Sequence, residues 1–206
     1  MIAVCAHESR KVRALTLAKS VGASVTLDDG RGSNANHDKA WASLVPRSTE
    51  WSIVLEDDAV PVRDFMRLAA QALACVPSHG IVSFYFGTGY PTHVQTKYKA
   101  AIRHADEAGA GWIRGGALYH GVAVAIRTDQ VADMLNFVDG IDRPYDERMS
   151  AWMSVRGLPC WYTFPSLVDH DDSDHVLPAT RHQPRDKARR AWRTGAPLNK
   201  ARFVHM

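Results

Sequence analysis

Apolar residues along this chain alternate between short continuous runs and helical stripes. Residues 2–6 are such a run and predict a strand. Val12, Leu15, Leu17, Ala18 and Val21 then share roughly one helical face, and Gly22 is placed to stop that helix. Residues 23–27 predict a second strand, ending in Asp28 and Asp29. Strand, helix, strand at this spacing is a βαβ unit and implies a parallel sheet. A further helix runs through His37, Lys39, Ala40 and Trp41, with Asn34 as its cap. Ile53, Val54 and Leu55 form a strand buried on both faces, and Pro61 is expected to stop it. Beyond it the pattern predicts a helix over 64–75, a strand over 81–86, a glycine turn over 87–91 and one or two strands over 117–126. A helix over 129–138 capped by Thr128, a helix opening at Pro144 and closed by Gly157, and a strand over 158–164 complete the series. Residues 92–111 are polar and poorly patterned, a loop with a helix around 98–107. The class is α/β: a mostly parallel sheet flanked by helices, in a single domain.

Composition narrows the picture. A chain of 206 residues with 46% hydrophobic content suits one cored domain, or one domain with a tail. No apolar stretch approaches the ~18 residues of a membrane span, and no charged leader precedes an apolar core. Neither a transmembrane helix nor a signal peptide is expected. Cys5, Cys75 and Cys160 have no metal-like spacing and fit a reducing cytosol, so a cytoplasmic location is expected.

The candidate chemistry lies where the third strand ends, in WSIVLEDDAVPV from Trp51 to Val62. Glu56, Asp57 and Asp58 repel one another and cannot enter a core without counter-charge. Ligands of open α/β sheets sit at the carboxyl ends of strands. Mg²⁺ or Mn²⁺ would take oxygen ligands there, one or two carboxylates plus substrate phosphates. A solvated acidic turn is the plain alternative. The pattern W-x-I-V-L-E-D-D-A-x-P resembles the DxD-type metal motif of GT-A-fold glycosyltransferases. It is nearest the family 25 type, which includes lipopolysaccharide and collagen sugar transferases. Glu56 stands where the first Asp is usual. The segment N-x-N-H-x-K-A-W and the late P-S-L-V-D-H resemble further parts of that family, and the likeness extends over roughly residues 1–175.

The resemblance implies a GT-A-like (Rossmann-like) catalytic domain over 1–178. It would move a sugar from a nucleotide-diphosphate donor, a UDP-sugar first of all, to an acceptor hydroxyl with Mn²⁺ or Mg²⁺. It implies metal ligands in Asp58, Glu56 and His170, with His175 and Asp169 as alternatives to the histidine. It implies donor contacts from Ala6, His7, Arg10, Asp28, Asp29, Asn34, Lys39, Glu56 and Asp57. Asp28-Asp29-Gly30 reads equally as a turn, and Lys39 equally as an exposed helical lysine. An acid at the start of the helix after Pro144 would be the general base. Asp146 comes first and Glu147 second, although both also suit a helix N-terminus by charge alone.

From residue 179 the chain turns basic, with Trp192 among the arginines. That tail would fold over the donor, bind a polyanion or stay solvated. The acceptor, whether glycan, protein or modified nucleic acid, and the oligomeric state are open. The rival readings are a nucleotidyltransferase on a similar sheet and a non-catalytic nucleotide or polyanion binder.

Overall fold

The structure is a computed structural model that describes residues 1–45, 49–89, 91–172, 188–196 and 201–206. Its core is an eight-stranded sheet in the order β2-β1-β3-β7-β5-β8-β6-β10. The strands are β1 (Ile2–Ala6), β2 (Ser24–Leu27), β3 (Trp51–Glu56), β5 (Ile81–Ser83), β6 (Trp112–Gly115), β7 (Ala123–Arg127), β8 (Cys160–Thr163) and β10 (Phe203–His205). A two-stranded ribbon, β4 (Ala59–Pro61) with β9 (Val168–His170), stands beside it. β1 lies parallel between β2 and β3, as the opening βαβ pattern requires. β7 enters antiparallel to both β3 and β5, β8 runs parallel to β5, and β6 is antiparallel to β8. Thus β1, β2, β3, β5 and β8 share one direction, and the molecule is a Rossmann-like α/β domain.

Both faces of the sheet are covered, which is why its central strands are continuously apolar. One layer packs Ala3, Val54, Val124 and Tyr162 against α2 (Ser33–Ala42), α4 (Gln95–Ala108), α5 (Val131–Val138) and α6 (Tyr145–Arg156). The other packs Val4, Leu55, Val82 and Ala123 against α1 (Lys11–Val21) and α3 (Phe65–Leu73). Gly22 and Gly157 end α1 and α6 in the left-handed conformation, at φ 65° and 66°, where a side chain would be strained.

Several expected boundaries move. Residues 92–111 are mostly α4, whose inward positions are Tyr98, Ala101 and Ala105. Two of the three are alanines, so the stripe is faint in the sequence. β6, absent from the sequence reading, follows at once. Pro61 ends β4, because the chain turns at Asp57 and Asp58 and leaves β3 before the proline. β5 stops at Ser83, and the Phe84 carbonyl instead accepts from the Leu167 and Val168 amides at 2.9 and 3.1 Å. α2 is preceded by Gly32, and Asn34 lies inside its first turn without capping it. Thr128 opens a short 3₁₀ turn before α5, and its hydroxyl meets that of Ser52 at 2.9 Å.

The basic C-terminal stretch is tied into the fold where it is described. Thr88 N donates to Arg190 O at 2.7 Å, Trp192 N to Phe86 O at 3.0 Å and Ser166 N to Arg193 O at 2.9 Å. β10 then closes the sheet edge, parallel to β6. Among the described residues no helix is long and apolar enough to cross a membrane.

Candidate functional site

The carboxyl ends of β2, β1 and β3 form one edge, and the acidic triplet stands at its β3 end. Asp57 turns inward. Its Oδ2 accepts from the His7 amide at 2.9 Å and its Oδ1 from Arg10 Nη1 at 2.8 Å. The same Nη1 reaches Asp58 Oδ2 at 3.0 Å. Burial, opposed by Arg10 and the His7 amide, leaves the Asp57 carboxyl above its usual range. Burial pushes Asp58 the same way, but His170 and Arg10 outweigh it and hold that carboxyl below its usual range.

The β4–β9 ribbon brings His170 to Asp58. In its register Ala59 lies opposite His170, and the Asp171 amide donates to Asp58 O at 2.9 Å. His170 Nδ1 faces Arg189 O at 3.2 Å. A carbonyl only accepts, so Nδ1 carries the hydrogen and Nε2 is left for another partner. Nε2 lies 3.3 Å from Asp58 Oδ2, in a contact not aligned as a hydrogen bond. His170 Nε2 and Asp58 Oδ1 are both buried without a hydrogen-bond partner among the described residues. Buried polar atoms are rarely left so. A cation between them would satisfy both. Among the described residues no three His, Cys, Asp or Glu side chains gather around one point. A divalent ion here would take this pair plus water and phosphate oxygens, as Mg²⁺ and Mn²⁺ sites commonly do. Asp169, offered as an alternative ligand, instead accepts from the Ala191 amide at 2.6 Å. His175, the other alternative, lies outside the described residues.

Glu56 turns away from this pair. Its Oε1 lies 3.4 Å from His37 Nε2, while His37 Nδ1 is held by Ser33 O at 2.9 Å. Burial disfavours charge on His37, but Cys5 and Glu56 beside it win and raise its pKa well above the ordinary value. The His37 ring stacks on Tyr145 at 3.9 Å, and Tyr145 OH accepts from Trp41 Nε1 at 3.0 Å. Tyr145 starts α6, so this stack fixes where Asp146 stands. Burial first, then the Glu56 charge, push the Asp146 carboxyl up to about 6. Glu147 points to solvent. Both acids therefore begin the helix as expected, but only Asp146 shares the recess with Glu56.

Gly121 is what lets Glu56 and Tyr145 approach. A Cβ there would stand 2.8 Å from Glu56 Oε1 and 2.7 Å from the Tyr145 ring. Neither neighbour can retreat easily, since one is held by His37 and the other by Trp41. Gly121→Ala is expected to cost about 1–3 kcal/mol by overpacking, read as a lower urea midpoint. An unchanged midpoint would show that this recess is softer than the contacts imply.

At the β1–β2 end the expected donor residues have mostly structural partners. Asp28 Oδ1 accepts from the Gly30 and Gly32 amides at 3.0 and 3.1 Å, the turn role. Asp29 pairs with Arg31, and Lys39 Nζ donates to Leu27 O at 3.1 Å. Asn34 Nδ2 donates to Arg143 O at 2.8 Å. Ala6 O accepts from Asn36 Nδ2 at 2.9 Å and from the Asp28 amide at 2.9 Å. Asn36 and His37, not Asn34 and Lys39, are the buried polar members of α2.

Tyr85 and His120 also went unnoticed in the sequence. Their rings meet edge-on at 5.0 Å, with His170 6.1 Å from Tyr85. Tyr85 OH and His120 Nε2 are buried without hydrogen-bond partners among the described residues. Burial pushes the Tyr85 hydroxyl up and, helped by Arg189 and His170, pulls His120 down to about 3. The folded state thus keeps His120 neutral, while the unfolded chain protonates it below its ordinary value of 6.5. Its contribution is present above that value and is lost as pH falls toward 3, at up to about 1.4 kcal/mol per pH unit. His120→Gln is expected to flatten the acid limb of stability against pH. Parallel limbs in denaturant titrations of the two proteins would place the acid sensitivity elsewhere.

No protein-family model and no curated protein matches this chain. Among solved structures, the crystal structure of A197 from STIV is similar at a TM-score of 0.47 and 11% identity, over 88% of this chain and 99% of that one. A likeness this distant carries no argument about function.

Proposed function

We propose that the protein is a divalent-metal-dependent glycosyltransferase that moves a sugar from a nucleotide-diphosphate donor to an acceptor hydroxyl. The observation that supports this most is the meeting of Asp58 and His170, 112 residues apart in the chain, each with one buried ligand atom that has no hydrogen-bond partner among the described residues. Asp58 and His170 would hold Mn²⁺ or Mg²⁺, which when bound offsets charge on the departing diphosphate. Arg10, on the same edge, would meet a phosphate oxygen. Asp146 would take the proton from the attacking hydroxyl, and a carboxyl poised at about 6 suits that task near neutral pH. Tyr85 and His120, both neutral, would add hydrogen bonds to an uncharged part of the ligand. Three unpaired cysteines support a reducing compartment, and with it a cytoplasmic location.

The test is a thermal-shift screen of nucleotide sugars, each with and without Mn²⁺, because a ligand of the native state raises apparent stability. One nucleotide sugar should shift the melt only with the metal present. Product analysis follows, since release of a nucleoside diphosphate marks glycosyl transfer and release of pyrophosphate marks a nucleotidyltransferase. Binding without any turnover would favour the non-catalytic reading.

A further inference from the structure

We infer that Arg10 is a built-in stand-in for the divalent cation: it neutralises Asp57 and Asp58 while the site is empty and must give up Asp58 when the ion arrives. The inference rests on the proposed reading that Asp58 and His170 hold such an ion. Three observations carry it. A single atom, Arg10 Nη1, bridges Asp57 Oδ1 at 2.8 Å and Asp58 Oδ2 at 3.0 Å, so one cationic group already serves the carboxylate that would hold the ion. Asp58 Oδ1 and His170 Nε2, on the same carboxylate and against it, are buried and have no hydrogen-bond partner among the described residues. Arg10 is itself mostly enclosed, with 12% of its side chain exposed, so its charge is not screened away.

Two adjacent inward carboxylates need a counter-charge to stay ionised in a folded protein. Arg10 provides it. A divalent ion at Asp58 would provide more than enough, and would repel a guanidinium bridging the same carboxylate. Arg10 ends the short turn Glu8–Arg10 that follows β1, so its backbone lies outside the strand ladder of the sheet. Its fork of donors suits a phosphate oxygen better than a second cation. The result is an order of binding: the ion displaces Arg10 from Asp58, and the displaced Arg10 is then available to the anionic ligand.

The experiment uses Mn²⁺ alone, followed by electron paramagnetic resonance, and then uridine diphosphate with Mn²⁺ by calorimetry. The proteins are wild type, Arg10→Gln, Arg10→Lys and Arg10→Gln combined with Asp58→Asn. Arg10→Gln is expected to bind Mn²⁺ alone about tenfold or more tightly than wild type, yet to bind the nucleotide with Mn²⁺ about tenfold or more weakly. Arg10→Lys keeps the charge and should resemble wild type toward Mn²⁺ alone, and the double variant should lose the gain. If Arg10→Gln folds poorly, Arg10→Met with the Mn²⁺-induced rise in melting temperature replaces it. A folded neutral variant whose Mn²⁺ affinity is no higher than wild type, while wild type does bind the ion, overturns the stand-in role alone. Absence of Mn²⁺ binding in every protein, with and without the nucleotide, removes the cation site itself and the proposed metal dependence with it.

Discussion

Asp58→Asn is expected to abolish metal-dependent nucleotide binding while the protein stays folded. The loss should exceed the ~10–100-fold cost of removing a group that only orients a metal ligand, because Asp58 would be a ligand itself. The fold should survive for local reasons. Asn has the shape of Asp, the Asp58 carbonyl still accepts from Asp171, and Arg10 keeps Asp57. His170 Nδ1 still faces the Arg189 carbonyl. Calorimetry with uridine diphosphate and Mn²⁺ measures the effect, with circular dichroism confirming the fold. Undiminished metal-dependent affinity in a folded variant would take Asp58 out of the metal site.

Asp146→Asn is expected to lower turnover by ~10²–10⁴-fold, the usual worth of a general base, with melting temperature and donor affinity nearly unchanged. A helix-start role alone is worth only ~0.3–1 kcal/mol. Burial and the Glu56 charge already disfavour ionised Asp146, so removing its charge costs the fold little. A base works deprotonated. Wild-type turnover should therefore rise as pH passes about 6 from below and level off above it, and the variant should lack that limb. Glu147→Gln, altering an exposed side chain, should change turnover only a few-fold. The readout is nucleoside diphosphate release at saturating donor and acceptor. A turnover equal to wild type in Asp146→Asn, at every pH, would exclude this base and favour a retaining mechanism without one.

The first half of the sheet was legible in the sequence because each element there is contiguous. A run such as Ile2 to Ala6 needs no distant information to read as a buried strand, and Gly22 marks its helix end locally. β6 and α4 were harder. Trp112–Gly115 holds an arginine and a glycine and becomes a strand only by pairing with β8 and β10. The acidic triplet was visible as a cluster, but its division was not. Nothing in Glu56-Asp57-Asp58 says that the first faces His37, the second Arg10 and the third both Arg10 and His170. That follows from turning the chain out of β3 into β4. His120 was missed because a lone histidine among apolar neighbours reads as core, and His37 because it lies between polar Asn36 and Asp38, where nothing local marks a buried position; both are buried. Their chemistry comes from residues distant in the chain.

The ribbon that joins Asp58 to His170 also sets what kinds of change the protein can absorb. Side chains alternate faces along a strand, so a shift of one residue in β9 would turn His170 to the opposite face and present Asp169 or Asp171 in its place. Substitutions in β4 or β9 alter the site by degrees, but a single inserted or deleted residue there inverts it. Lineages of this chain should therefore vary in the composition of the ribbon and hold its length fixed, with length changes confined to segments whose register carries no ligand.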